Sequence, residues 1–468
     1  MRLTMRIADL AGLRVAIWGY GREGRAAIAA LRRRLPALPL TVLCRADEAA
    51  QVRADLAAAP AQPQAEPTRI LTAAPDAATL SAFDVVIKSP GISAWLPDLL
   101  DARRNGTRFT SGTALWFAEH PEARVVAVTG TKGKSTTTAL IAHLLRRSGR
   151  RVALAGNIGL PLLDLLDPAE PPDWWVIELS SFQTGEAGEV AVGLVTNLYE
   201  EHLDWHGDRA RYVADKLRLA DAARVLVVNG LQPELQRLTA AHPAVRCFGT
   251  PEGWHVAAGG IACGSRTLAA SGVLALPGRH NALNACAALA TIEAAGEDAV
   301  AAAAHLGSFR PLPHRLQPLG ERAGLHFVDD SIATTPQATL EALHSLADPG
   351  RATVIVGGHD RGLDWQPFAA AMHRQPPQAI VVNGASAARV GALLRETGGG
   401  YRLRIVTTLA EAVAAAREET PAGGTVLLSP GAPSFDQFRD YAERGRAFAA
   451  LAGFDPDTIG SIEGLGIA

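Results

Sequence analysis

At 468 residues the chain exceeds one ordinary domain, and at about 150 residues per domain its length points to three. Hydrophobic residues make up 48% and charged residues 20%, with a formal net charge of -2, which argues against a disordered chain and against a basic nucleic-acid binder. Cys44, Cys247, Cys263 and Cys286 lack C-x-x-C spacing, which argues for reduced thiols rather than a disulfide framework or zinc site.

Residues 1–6 carry no apolar signal region, and no run of about 20 apolar residues occurs, so the expectation is a soluble cytoplasmic protein without membrane insertion. A strand at 14–18 leads through Gly19-Tyr20-Gly21-Arg22-Glu23-Gly24 into a helix reaching Leu31. A strand at 40–44, a Pro- and Ala-rich connector at 57–67 and a strand at 84–88 ending in Ser89-Pro90-Gly91 follow. This βαβ pattern predicts a small Rossmann-like domain over 1–118. A dinucleotide reading of the glycine motif expects an acid about 20 residues on. Asp47 stands there with Arg45 beside it, so a nucleotide diphosphate is favoured over NAD.

The apolar run Val125-Val126-Ala127-Val128 opens a second domain, expected over 119–310 with mostly parallel strands. Thr129-Gly130-Thr131-Lys132-Gly133-Lys134-Ser135-Thr136 follows, and a helical pattern begins directly after it. Glycines let backbone N–H groups surround a phosphate, Lys134 adds a point charge, and Ser135 offers a hydroxyl to Mg2+. The order strand, Gly-Lys-Ser, helix therefore predicts an ATP site, although only two residues separate Gly130 from Gly133 where the common loop has four.

Further strands are predicted at 174–178, 192–196 and 224–228. Glu178 ends the first of these, where a carboxylate can hold magnesium or simply cap or face solvent. The run Asn197-Leu198-Tyr199-Glu200-Glu201-His202-Leu203-Asp204-Trp205-His206 packs acids and imidazoles behind a strand; His202 is the best metal-ligand candidate and His206 reads as a solvated loop histidine. By spacing, Lys216 is a surface lysine on a helix. Asn281 and Asn284 open another helix, where capping is the default role.

A third domain, expected over 311–468, starts near Leu312-Pro313-His314-Arg315 and alternates strands at 326–329, 352–356, 379–382 and 424–428 with Ala/Leu-rich helices. Turns at Asp330-Ser331, Gly357-Gly358-His359-Asp360-Arg361 and Ser429 to Phe438 fall at strand ends and predict a binding face.

In this order, Gly130 to Thr136, Gly156-Asn157-Ile158-Gly159, Glu178 to Gln183, His202-Leu203-Asp204, His280-Asn281 with Asn284, Leu312 to Arg315, Asp330-Ser331 and Ser434 to Gly445 resemble the Mur ligases of peptidoglycan synthesis. The resemblance spans all three domains and implies an ATP- and Mg2+-dependent amide ligase, most similar to the members that join glutamate to UDP-N-acetylmuramoyl-L-alanine through an acyl phosphate. It further implies metal contacts at Ser135, Glu178 and His202, and a carbamylated lysine at Lys216, with Lys134 on the transferred phosphoryl group. ATP contacts would fall on Gly130, Thr131, Lys132, Gly133, Lys134, Ser135, Thr136, Asn281, Asn284, Arg315 and Asp330. The uridine substrate would meet Gly19, Tyr20, Gly21, Ser89, Pro90, Gly91, Thr113, Asn157 and Gln183. Such an enzyme is expected to be a monomer.

The departures cluster in the amino-acid pocket. Members that add D-glutamate carry a lysine where this chain has Ile332, a lysine where it has Arg361, and a phenylalanine where it has Tyr441. An apolar side chain cannot pair with a carboxylate, so Thr334, Arg361, Ser434, Phe435 and Tyr441 are expected to hold the incoming glutamate, and L-glutamate is expected. A D-glutamate-adding ligase of the same family is the first alternative, and an NAD-dependent oxidoreductase is the alternative from a different class.

Overall fold

A computed structural model describes residues 5–58, 67–199, 203–270, 272–274, 278–460, 462 and 464–468. The chain forms two compact units, one of residues 1–274, 279–309 and 464–468, the other of 275–278 and 310–463.

In the first unit, β1 (Val15–Trp18), β2 (Leu40–Leu43), β3 (Arg69–Leu71), β4 (Val85–Lys88) and β5 (Arg108–Thr110) form a parallel sheet in the order β3-β2-β1-β4-β5. β1 carries the apolar run Val-Ala-Ile, and β2 and β4 are buried throughout, as a sheet covered on both faces requires. β3 and β5, the two edges, are only three residues long and escaped sequence reading. The helix Ala49–Ala58 likewise occupies the start of what reads as a connector.

The second sheet of this unit contains β6 (Val125–Thr129), β7 (Val152–Gly156), β8 (Trp174–Glu178), β9 (Val190–Val195), β10 (Ala223–Asn229) and β11 (Val245–Phe248), all parallel. Their order, β11-β10-β9-β6-β8-β7, reverses direction about β6. That reversal opens a crevice at the carboxyl ends of β6, β8 and β9, where open α/β sheets bind ligands. β12 (Trp254–Ala257), β13 (Gly260–Cys263) and β14 (Arg266–Ala270) form a separate antiparallel sheet that sequence reading did not anticipate.

The second unit has one six-stranded sheet: β15 (Gln317–Arg322), β16 (Leu325–Asp329), β17 (Ala352–Gly357), β18 (Ala379–Asn383), β19 (Arg402–Ile405) and β20 (Thr425–Leu428) in the order β15-β16-β20-β17-β18-β19. Only β15 runs antiparallel to its neighbour. The adjacent strands β16, β20 and β17 deliver Asp330, Ser429 and Gly357 side by side, so the three polar turns share one sheet edge.

The last strand, β21 (Gly466–Ile467), returns to the first unit and pairs antiparallel with β7. Arg146 fastens it, donating to the carbonyls of Gly466 at 3.1 Å and Ala468 at 3.3 Å.

Candidate active site

β6 ends at Thr129, and Gly130 takes φ 141°, a conformation that disfavours any other residue. A Cβ there would also lie 1.9 Å from Thr196 Oγ1, so the loop can approach β9 this closely only with glycine. Gly133, with φ 79°, then starts the helix Lys134–Arg147, whose N-terminal end is the positive end of its dipole.

The tail of β9 clamps the loop. Asn197 Oδ1 accepts from the N–H of Thr131 at 3.1 Å and of Lys132 at 2.7 Å, while Thr196 Oγ1 and Asn197 Nδ2 donate to the Lys132 carbonyl. Lys134 Nζ donates to the Thr131 carbonyl at 2.9 Å, folding its ammonium over the loop. On the far side Asn284 comes close, since a Cβ on Gly133 would sit 2.4 Å from its Oδ1. Asn284 Nδ2 donates to Asn281 Oδ1 within the helix Arg279–Ala294. Both amides lie inside the helix rather than at its cap position.

Glu178 ends β8 beside β6 and is 1% exposed, so neither capping nor solvation describes it. Its Oε1 accepts from Asn157 Nδ2 at 3.0 Å, whereas the buried Oε2 has no protein partner. A buried carboxylate oxygen without a donor is costly, and a cation is the natural group to offset it. The unpartnered oxygen of Glu178 therefore fits a hard, oxygen-loving metal ion such as Mg2+. Among the described residues no three His, Cys, Asp or Glu side chains form a metal centre, and His202 lies outside them.

Two residues differ from the expectation drawn from their spacing. Lys216 is 2% exposed and donates to the Gly130 carbonyl at 2.8 Å, so it faces the phosphate loop, not solvent. His206 is fully buried, its Nδ1 2.8 Å from Asp215 Oδ2 and its Nε2 3.0 Å from Ser181 Oγ. Helical periodicity cannot reveal such burial, because the covering surface comes from elements far away in sequence.

At the first sheet, the helix Arg22–Arg34 packs on the glycine turn through Gly24, where a Cβ would meet the Gly19 carbonyl at 2.1 Å. Ser89 Oγ reaches the Gly19 carbonyl at 3.4 Å, which joins the two loops singled out from sequence. Tyr20 turns its hydroxyl to Asp55 Oδ2 at 2.8 Å, and burial with that contact pushes its pKa up to about 12. Asp47 is paired with Arg45 at 3.0 Å. Gln183 is 2% exposed, donates to Thr113 Oγ1 and accepts from the N–H and hydroxyl of Ser180, so it braces the loop after β8. Glu23, in the first turn of its helix, was missed; burial and the charges of Glu186 and Asp164 push it up to about 7.

In the second unit the turns expected to form a binding face lie together. The N–H of Gly357 donates to the Pro430 carbonyl, that of His359 to Pro433 and that of Gly431 to Ala333, which laces the three turns together. Arg444, also missed in the sequence, is 4% exposed and donates to Ser331 Oγ and to the carbonyls of Ser331 and Ala432. Beyond it, Phe435 is 59% exposed, with the Arg361 guanidinium 5.8 Å from its ring centre and His359 edge-on at 6.3 Å. Ser434 adjoins them, 2% exposed. Tyr441 instead packs edge-on to His314, 5.9 Å away, and its carbonyl accepts from Ser331 Oγ.

Asp330 is buried, accepting from Ser429 Oγ at 2.8 Å and the Leu316 N–H at 3.1 Å. Burial outweighs those bonds and pushes its pKa up to about 7. The folded chain thus keeps this proton over a range, roughly pH 4 to 7, in which the unfolded chain has lost it. Its stabilising contribution is full below about pH 4 and lost as pH rises through about 7. Urea unfolding of wild type and Asp330→Asn between pH 4.5 and 7.5 should show wild type losing stability relative to the variant as pH rises; parallel curves would refute the assignment.

The profile of the Mur ligase middle domain matches residues 128–292, and that of the Mur ligase glutamate ligase domain matches 314–431. The chain belongs to the Mur ligase family. Mur ligases are ATP-dependent amide-bond ligases, which accounts for the phosphate loop and removes the oxidoreductase alternative. This Mur ligase is 51% identical, over 99% of its length and 100% of the relative's, to the UDP-N-acetylmuramoyl-L-alanine--L-glutamate ligase of Xanthomonas campestris pv. campestris strain 8004. It is 43% identical to the protein of the same name from a Micromonospora species, over 95% and 97% of the two chains. Among the solved structures that share its fold are two from Thermotoga maritima. The UDP-N-acetylmuramate-alanine ligase of Thermotoga maritima superposes with a TM-score of 0.59 at 21% identity, covering 94% of this chain and 99% of that one. The MurF ligase of the same organism, in complex with ADP, gives 0.54 at 17% identity, covering 98% and 99%. Among the described residues no helix of this Mur ligase is long and apolar enough to cross a membrane.

Proposed function

We propose that this Mur ligase joins L-glutamate to UDP-N-acetylmuramoyl-L-alanine at the expense of ATP. The observation that carries the substrate choice is the 51% identity, over essentially the full chain, to a relative named for that reaction. Residues 1–118 hold the uridine diphosphate at the Gly19 to Gly24 turn and Ser89-Pro90-Gly91, 119–310 hold ATP, and 311–468 hold glutamate. The reading places the enzyme in the cytoplasm, where ATP and nucleotide-linked precursors meet, and treats it as a monomer.

A free carboxylate is a poor electrophile, so the alanyl carboxylate first attacks the γ-phosphorus of ATP and ADP leaves. The glutamate amine then attacks the carbonyl carbon of the acyl phosphate, the C–O bond to phosphate breaks, and the amine gives up its proton. The loop N–H groups and Lys134 stabilise charge on the transferred phosphoryl group, and Asn281 and Asn284 hold the nucleotide. Ser135, Glu178, His202 and a carbamylated Lys216 would hold Mg2+, which would supply positive charge to the phosphates. Asn157 and Gln183 order the muramoyl end around Glu178.

For the amino acid, Arg361 offers a fork of N–H donors suited to a carboxylate, with Thr334 and Ser434 as hydroxyl partners and Phe435 as an apolar wall. Ile332 gives no charge where the D-glutamate enzymes have lysine. Phosphate release from ATP, Mg2+ and UDP-N-acetylmuramoyl-L-alanine should occur with L-glutamate and be absent with D-glutamate. Activity with D-glutamate alone would reverse the stereochemical assignment.

A further inference from the structure

We propose that His206 and Asp215 form a positioning pair that holds the helix bearing Lys216 in register with two loops at once, the one after Glu178 and the one at 89–95. The proposal rests on the reading that Glu178 and Lys216 serve the ATP phosphate site.

Asp215 lies one residue before Lys216 on the helix Arg209–Leu217. Its Oδ2 accepts from two directions, His206 Nδ1 at 2.8 Å and Trp95 Nε1 at 3.3 Å. Its carbonyl accepts from Thr184 Oγ1 at 2.6 Å. Because a carboxylate only accepts, Nδ1 of His206 carries a proton, and Nε2 is hydrogen-bonded to the Ser181 hydroxyl at 3.0 Å. The loop after Glu178 is thereby tied to the helix at Ser181 and Thr184, and the loop at 89–95 is tied at Trp95. A second tie reinforces the latter, since Trp205 Nε1 donates to the Pro90 carbonyl and the Trp205 carbonyl accepts from Ser93 Oγ. The same helix reaches the phosphate loop through Lys216 to Gly130 and through Tyr212, whose hydroxyl is 2.6 Å from Thr131 Oγ1. A shift of the helix would move Lys216 away from Gly130.

Ser181, His206 and Asp215 have the connectivity of a nucleophilic triad, but a nucleophile must be reached by its substrate. Ser181 is 4% exposed, and the His206 ring is enclosed by Phe182, Trp205 and Tyr212. The arrangement holds; it does not attack.

Every contact asked of the Asp215 carboxylate is an accepted hydrogen bond, so a carboxamide oxygen can replace it. His206→Ala and Asp215→Ala should each lower kcat for phosphate release about 30-fold, with KM for ATP and the uridine substrate within about threefold, whereas Asp215→Asn should stay within about fivefold of wild type. Trp95→Phe should raise KM for the uridine substrate several-fold and leave kcat within about twofold. Mn2+ affinity in the presence of ADP, read by electron paramagnetic resonance, should weaken in Asp215→Ala and match wild type in Asp215→Asn; this readout needs no amino-acid substrate, so it still decides the pair if the ligase reading fails. Equal loss in Asp215→Asn and Asp215→Ala, alanine variants with wild-type kcat, or labelling of Ser181 by a fluorophosphonate would each overturn the proposal.

Discussion

Replacing Lys134 by alanine is expected to lower ATP-dependent phosphate release by about 10³-fold or more while leaving the fold intact. The side chain is only partly buried and one of its bonds goes to the Thr131 carbonyl of its own loop; partial burial means that its removal opens no cavity in the core. What disappears is a positive charge beside the transferred phosphoryl group, which the neutral N–H groups of the loop cannot replace. Phosphate release compared with thermal melting separates the two roles. A variant that melts as wild type and retains a tenth of its activity would remove Lys134 from the chemistry.

Glu178→Gln should cost about 10²- to 10³-fold in kcat, with a parallel loss of Mn2+ affinity. The substitution is nearly isosteric, and its carbonyl oxygen can still accept from Asn157, so the bond at 3.0 Å survives. The change falls on the other oxygen, buried and without a protein partner, where a neutral amide attracts a cation far less than a carboxylate. Wild-type metal affinity in this variant would show that Glu178 is structural. The two substitutions attack the same phosphate site from opposite charges, so their combined loss should fall well short of the product.

Much of this arrangement is legible in the chain. Most of the buried parallel strands announce themselves as short apolar runs, although β7, buried throughout, went unread, and a strand-loop-helix with Gly-Lys-Ser identifies a phosphate site because few other uses need those residues together. Other features escaped for more than one reason. β3, β5 and β19 are edge strands whose partly exposed residues carry a weak apolar signal. Lys216 and His206 look like surface residues because local spacing says nothing about which distant element covers them. Arg444 hides in the same way, its three acceptors lying 12 and 113 residues distant. The Ile332 and Arg361 departures were visible at once, since they stand inside motifs otherwise intact.

The tail strand has a bearing on how the protein is made. Gly466 meets Arg146 across 320 residues, so the edge of β7 acquires its neighbour only after the whole second unit has been synthesised. Until then an unpaired parallel-sheet edge is available to other nascent chains. The first unit is thus begun first and finished last, because its closing contact spans so much of the sequence. Residues 466–467 act as a latch on the first unit, and a chain without them has a central sheet with an open side at β7.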